Sequence, residues 1–305
     1  MNPIIELCYI FLMSGKTQFC LEFLKNLEEI TTRPEQKFVI GSCYQFIGEY
    51  EKSVEIYKTC INLGLDDNQI FKNISICCAN MLQIDEAKSW LSKCDVGQVL
   101  KEDLDHISCR EREVSFLGSD TGYWKDHSQH IHSPNLSFFI KSILPKNEPV
   151  HDFGCGTGFY LEVLREAGFE NLQGYEGSPS NEVQFKSILK QDLTAKFSVP
   201  QKGNIICLEV AEHIPRKYEE VFLSNISDAC DGYLVFSWAV RGQGGTCHVN
   251  CRNNDEVFEI MQKLGFQFHP ELTQQGRNLI EDHCDWFRNT LLIFSKKDGD
   301  RDAKF

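Results

Sequence analysis

Two clusters in this chain combine residue types that can do chemistry. The first is Asp152-Phe153-Gly154-Cys155-Gly156-Thr157-Gly158, three glycines at alternate positions behind an acid. Glycine lacks the Cβ that keeps backbone away from a ligand, and it takes positive φ where a strand end turns sharply into a helix. The spacing Asp-x-Gly-x-Gly-x-Gly differs from the dinucleotide fingerprint Gly-x-Gly-x-x-Gly, so it suits a nucleotide-like ligand other than NAD. The second cluster is Cys207-Leu208-Glu209-Val210-Ala211-Glu212-His213-Ile214-Pro215. Spacings of three and four put its carboxylates and imidazole on one face if a helix starts there. A glycine-rich stretch, Arg241-Gly242-Gln243-Gly244-Gly245-Thr246-Cys247-His248, would deliver a second imidazole to the same edge. Three readings of this set stand open: Glu209, Glu212, His213 and His248 hold a divalent cation, or His213 or His248 acts alone as a general base, or the carboxylates only face the cofactor or the start of a helix. Oxygen donors suit Mg²⁺, whereas two imidazoles shift the preference toward Mn²⁺, Fe²⁺, Co²⁺ or Zn²⁺.

Both clusters need a scaffold that brings strand ends together. From about residue 130 short apolar runs alternate with helical patterns, at 150–153, 172–176, 205–210, 233–239 and 290–295, with helices expected at 134–144 and 160–167. Such alternation predicts an α/β domain with a parallel sheet covered on both faces. Ligands of such sheets sit outside the carboxyl ends of the strands, so residues just past each strand can reach them. Asp152 closes the first strand there. Glu176 ends the second strand about 20 residues later, where a carboxylate accepts both hydroxyls of a ribose and repels a phosphate.

The glycine loop resembles motif I of class I S-adenosylmethionine-dependent methyltransferases, a resemblance that covers roughly residues 130–296. It implies a Rossmann-like seven-stranded sheet, S-adenosyl-L-methionine as cofactor, and Asp152, Gly154, Gly156, Gly158 and Glu176 around it. It also implies an adenine contact from Asp192, whose other reading is a turn residue. The Glu-x-x-Glu-His run is similar to that of ubiquinone-biosynthetic O-methyltransferases and small-RNA 2′-O-methyltransferases, in which two Glu and a His hold a divalent metal. Carried over, this implies Glu209, Glu212 and His213 as ligands here, and, since the second family adds another His from farther along, His248. Glu-His-Ile-Pro also occurs in relatives not known for metal, which keeps the base and helix-start readings open.

Residues 1–95 have a different grammar, helical with short polar breaks. Gly41, Tyr44, Gly48, Tyr50, Ser53, Tyr57 and Cys60 recur 34 residues later as Ser75, Cys78, Leu82, Ile84, Ala87, Leu91 and Cys94, with a weaker copy through Phe11, Gly15, Cys20 and Leu24. The pattern resembles a short tetratricopeptide array, against which stands an irregular helical bundle. Such arrays present a concave surface to a protein partner. Residues 96–130 read as a charged connector, 131–296 as the methyltransferase domain and 297–305 as a polar tail.

The 305 residues carry a formal charge of −13, which argues against passive capture of nucleic-acid backbones, whose affinity comes from Lys and Arg. Fourteen cysteines without a compact framework fit free thiols in a reducing, cytoplasmic setting, and no apolar run reaches membrane-span length. Cys247 and Cys251 flank His248 but lack a second ligand pair for structural zinc. His127, His130 and His132 read as loop histidines. Trp238, Trp286 and Phe287 could line an acceptor pocket or pack the core, and Arg241, Arg252, Arg277 and Arg288 could meet an anionic acceptor or pair with acids. The expected activity is O-methylation of a small hydroxylated molecule or a sugar. A 2′-O-methyltransferase acting on RNA is the alternative, and from another class a non-catalytic tetratricopeptide scaffold with an inactive methyltransferase-like domain.

Overall fold

The structure, a computed structural model, describes every residue except Met1, Val96, Ser119, Tyr123, 126–129, 179–184 and 297–305. His127 and the polar tail therefore lie outside the described residues. The chain divides into two compact units, one of Met1–Phe116 with Arg241–Val249, the other of Leu117–Val240 with Asn250–Phe305.

The first unit is all helical: α1 (Pro3–Met13), α2 (Thr17–Ile30), α3 (Pro34–Phe46), α4 (Tyr50–Asn62), α5 (Asn68–Asn80), α6 (Ile84–Leu91) and α7 (Lys101–Val114). Helix starts are set locally, by Pro34 in the first turn of α3 and by Asp67, whose side chain accepts the Gln69 N–H at 2.6 Å ahead of α5. Each of two hairpins is stitched by a buried serine. Ser53 donates to the Gly41 carbonyl at 2.8 Å, and Ser75 donates to the Ala87 carbonyl at 2.8 Å. Gly41 leaves room for the Tyr57 ring, which a Cβ would meet at 2.8 Å.

The 96–130 stretch is not a plain connector at its start. Its α7 packs into the helical unit, where Asp103 pairs with Lys72 at 3.4 Å and Arg110 donates to the Asn80 carbonyl at 3.0 Å. The glycine-rich segment Arg241–Val249 belongs to this unit too. Arg241 pairs with Glu49 at 2.5 Å, the Cys247 N–H donates to Glu113 at 2.6 Å, and Arg110 donates to the His248 carbonyl at 3.1 Å.

The second unit runs α8 (Pro134–Ile143), β1 (Val150–Phe153), α9 (Phe159–Glu166), β2 (Leu172–Glu176), β3 (Ile188–Lys190), β4 (Gly203–Cys207), α10 (Glu219–Ala229), β5 (Cys230–Ser237), α11 (Asn254–Lys263), β6 (Phe266–Phe268), α12 (Pro270–Asn278), α13 (Phe287–Thr290) and β7 (Leu291–Lys296). The strands form one seven-stranded sheet in the order β3-β2-β1-β4-β5-β7-β6. Central β4 is buried along its whole length, as a strand with helices on both faces requires. Its Ile205 and Cys207 join Phe222, Ile226, Val257 and Met261 on one face, while Ile206 packs on the other with Leu161, Leu164 and Phe139.

The expectation of a parallel sheet needs correction, because β7 runs antiparallel to both β5 and β6. The register pairs Leu291 with Ser237, so β7 begins beside the carboxyl end of β5. The residue ahead of it, Thr290, thereby stands at the carboxyl edge of the sheet. β3 and β6 have three residues each and leave no periodic signal.

Candidate functional site

Strand order reverses between β1 and β4. The chain passes from β1 through α9 to β2 on one side, and from β4 through α10 to β5 on the other. The crevice outside the carboxyl ends of these two strands is where doubly wound sheets bind ligands. Its lips are the segments after β1 and after β4.

On the β1 side Asp152 is 3% exposed, and its Oδ2 has no hydrogen-bond partner among the described residues. Burial, and then the charge of Glu176, push its carboxyl well above the usual carboxylate range. Gly154, Gly156 and Gly158 all take positive φ, at 78°, 54° and 81°. The space they leave is not simply open to a ligand, as their spacing suggested. A Cβ on Gly154 would come within 2.4 Å of the Val210 side chain, and one on Gly156 within 2.2 Å of the His130 ring. These two glycines thus let the β4 lip and the 130–132 segment close onto the loop.

Glu176 pins this loop from β2. One oxygen accepts the Gly156 N–H at 3.0 Å and the other the Ser178 N–H at 3.3 Å. Each carboxylate oxygen keeps further lone pairs for ligand donors. His132 stacks flat on Phe159 at 4.6 Å and its Nε2 lies 3.4 Å from the Thr157 hydroxyl, and burial lowers its pKa. His130 and His132 are therefore packed on the glycine loop and are not plain surface histidines.

The β4 lip is built differently. Residues 211–213 form a single 3₁₀ turn in place of the expected α-helical start, so the three-and-four spacing does not set one α-helical face. Glu209 occupies the left-handed region at φ 55°, its N–H donates to the Ser237 hydroxyl at 2.7 Å, and its Oε1 accepts from Thr290 at 3.1 Å. Glu212 is fully buried. Burial first, and the neighbouring Glu209 carboxylate second, hold its pKa well above the usual carboxylate range. Two facing carboxylates in such a place call for a proton or a cation between them. His213 sits beside them with Trp124 edge-on to its ring at 5.3 Å. The Glu212 carbonyl accepts the Asn250 N–H at 3.0 Å where the chain re-enters this unit.

Other expected residues sort by their partners. His248 belongs to the helical unit, its ring over Gly245 and its pKa lowered mainly by burial. Asp192 makes a local turn, with Oδ1 accepting the Thr194 N–H at 2.9 Å and the Thr194 hydroxyl at 2.7 Å. Arg252 pairs with Glu219 at 2.9 Å and Glu256 at 3.1 Å, Arg288 with Asp282 at 2.6 Å, and Arg277 donates to the Leu291 carbonyl at 2.9 Å. Trp238 and Phe287 are core residues. Cys247 and Cys251 form no disulfide, and the Cys247 Sγ donates to the Glu113 carbonyl at 3.2 Å. Ser237 and Thr290 went unsuspected, since nothing in a lone serine or threonine 28 or 81 positions from Glu209 marks it as a partner.

No protein-family model matches the chain, and no curated protein matches it. Solved structures do. The magnesium protoporphyrin IX methyltransferase of Synechocystis PCC 6803 with bound SAM is 18% identical with a TM-score of 0.40, over 77% of this chain and 99% of that one. A putative methyltransferase from Bacillus halodurans C-125 is 11% identical with a TM-score of 0.39, over 53% and 99%. The [4+2]-cyclase SpnF is 12% identical with a TM-score of 0.40, over 59% and 87%. Overlap at this level carries no activity across, and the three names already span two kinds of reaction.

Proposed function

We propose that the chain is an S-adenosylmethionine-dependent methyltransferase acting on oxygen, with a small hydroxylated molecule or a sugar as acceptor. The observation that carries this is Asp152, a buried acid whose Oδ2 lacks a partner among the described residues, beside a loop of left-handed glycines at the point where strand order reverses. Such an acid fits a cationic group, and the methyl donor carries an ammonium. In this reading Asp152 holds that amino group, Glu176 accepts the ribose hydroxyls on its remaining lone pairs, and Asp192 faces the adenine. Gly154, Gly156 and Gly158 shape the backbone around them.

Buried Glu212, beside the half-buried Glu209 carboxylate, fits a divalent cation by its donor chemistry. Glu209, Glu212 and His213 are the proposed ligands, of Mg²⁺, Mn²⁺, Fe²⁺ or Zn²⁺. When bound, such a cation lowers the pKa of a hydroxyl and fixes it for in-line attack. Without a cation, His213 takes the proton of the hydroxyl, and the carboxylates orient the imidazole. Chelator separates the two: lost activity that Mn²⁺ restores supports the cation, and full activity in chelator with Glu212→Ala still active overturns it.

The helical unit is read as a tetratricopeptide-like array for a protein partner. Helix starts 34 residues apart, Pro34 to Asn68 and Tyr50 to Ile84, support that reading, as do the Ser53–Gly41 and Ser75–Ala87 bonds, which join equivalent positions with donor and acceptor exchanged. Cytoplasmic residence is proposed on the free thiols. Among the described residues no helix is long and apolar enough to cross a membrane.

The reaction is tested by incubating native extract with methyl-labelled S-adenosylmethionine and the protein. A small molecule should gain the mass of a methyl group with wild type and not with Asp152→Ala. Equal labelling by both, or labelling of RNA alone, overturns the proposal.

A further inference from the structure

We propose that Ser237 and Thr290 are positioning residues that preset the Glu209 carboxylate as a cation ligand, an inference that rests on the cation reading of the β4 lip. Glu209 has φ 55°, a region that glycine enters freely and a glutamate rarely does. Strained residues persist where surrounding structure over-determines them, and they gather at functional sites.

Two fully buried hydroxyls supply that determination. Ser237 accepts the Glu209 N–H at 2.7 Å and fixes the backbone, while Thr290 donates to Oε1 at 3.1 Å and fixes the carboxylate. The Thr290 hydroxyl also lies 3.2 Å from the Trp286 carbonyl, but it has one proton, and an ionised carboxylate is the stronger acceptor.

The two hydroxyls are themselves held by one ladder. Ser237 pairs with Leu291, the residue after Thr290, so the antiparallel β5–β7 register sets their separation. A β7 parallel to β5 would put its leading residue at the opposite edge. The departure from an all-parallel sheet is thus what brings Thr290 to the ligand edge. Hydrogen bonds to a ligating carboxylate orient it, and their loss typically weakens metal binding by about 10- to 100-fold.

The test is titration of the full chain with Mn²⁺ alone, followed by calorimetry and electron paramagnetic resonance, with S-adenosylmethionine affinity measured in parallel. Thr290→Val should weaken Mn²⁺ by about 10- to 100-fold, Thr290→Ser should restore it to within about threefold, and Glu209→Ala should give the floor. Unchanged cofactor affinity shows that the variants are folded. Ser237→Ala should weaken Mn²⁺ in the same direction, through the Glu209 backbone. Wild-type Mn²⁺ affinity in Thr290→Val overturns the inference and leaves the cation reading intact. A wild-type protein that binds cofactor but not Mn²⁺ overturns the cation reading and this inference with it.

Discussion

The two lips of the crevice reach preorganisation by opposite means. On the β1 side the backbone does the shaping: three left-handed glycines turn the chain, and Glu176 locks the turn through the N–H groups of Gly156 and Ser178. The segment after β4, residues 208–215, has no glycine. A glutamate is pressed into a glycine-like conformation and held by hydroxyls from β5 and from the residue before β7. A turn shaped by backbone can be written in consecutive residues, whereas a carboxylate on a strained backbone must be braced from elsewhere in the fold.

The lips also touch, and this gives the largest expected effect. Gly154→Ala meets the Val210 side chain and an unfavourable φ together, at about 1–3 kcal/mol for overpacking and about 1–2 kcal/mol for the left-handed backbone. Val210→Ala in the same chain should recover the first part and not the second. Urea denaturation of the double-mutant cycle measures this, and zero coupling would separate the lips.

Next is Glu176→Ala. Losing the proposed acceptor of the ribose hydroxyls should weaken the cofactor by about 10- to 100-fold, since hydrogen bonds to charged groups contribute about 1.5–3 kcal/mol. Isothermal calorimetry reads it, and an effect below about threefold would remove Glu176 from the binding set.

Asp152→Asn should divide affinity from stability. In the unfolded chain this acid titrates near its ordinary value of 3.8, and in the fold burial moves it well upward. Below that ordinary value both states hold the proton and nothing is lost. As pH rises above it the unfolded state ionises first, so stability falls until the folded-state pKa is passed. The amide removes this loss. The cofactor-free variant should be the more stable at neutral pH with a flatter pH profile, while binding the cofactor less well. Parallel pH profiles for both proteins would contradict this.

The smallest effect lies away from both lips. Ser75→Ala should cost about 1 kcal/mol by removing its bond to the Ala87 carbonyl, with Ser53→Ala matching it in the neighbouring hairpin. Thermal melts report both. Neither should alter cofactor affinity.

The same contrast explains what could be read from the chain. Asp152, the glycines and Glu176 were legible because they fall in two short runs at strand ends, and β1 and β2 lie where the apolar runs put them. Glu209, Glu212 and His213 were legible as residue types. Their geometry was not, since a 3₁₀ turn replaces the helical start and the bracing hydroxyls lie far away in sequence. Strand direction was also hidden, because a buried run such as residues 291–294 reads the same in either sense. The packing of His130 on Gly156 had no local signal.

The central claim is that the crevice between β1 and β4 holds S-adenosylmethionine, and calorimetric titration of the full chain with that molecule tests it most directly. Saturable binding to one site, weakened in Glu176→Ala and Asp152→Asn, is the predicted result. No heat of binding at millimolar ligand, or binding that both variants retain in full, would contradict it.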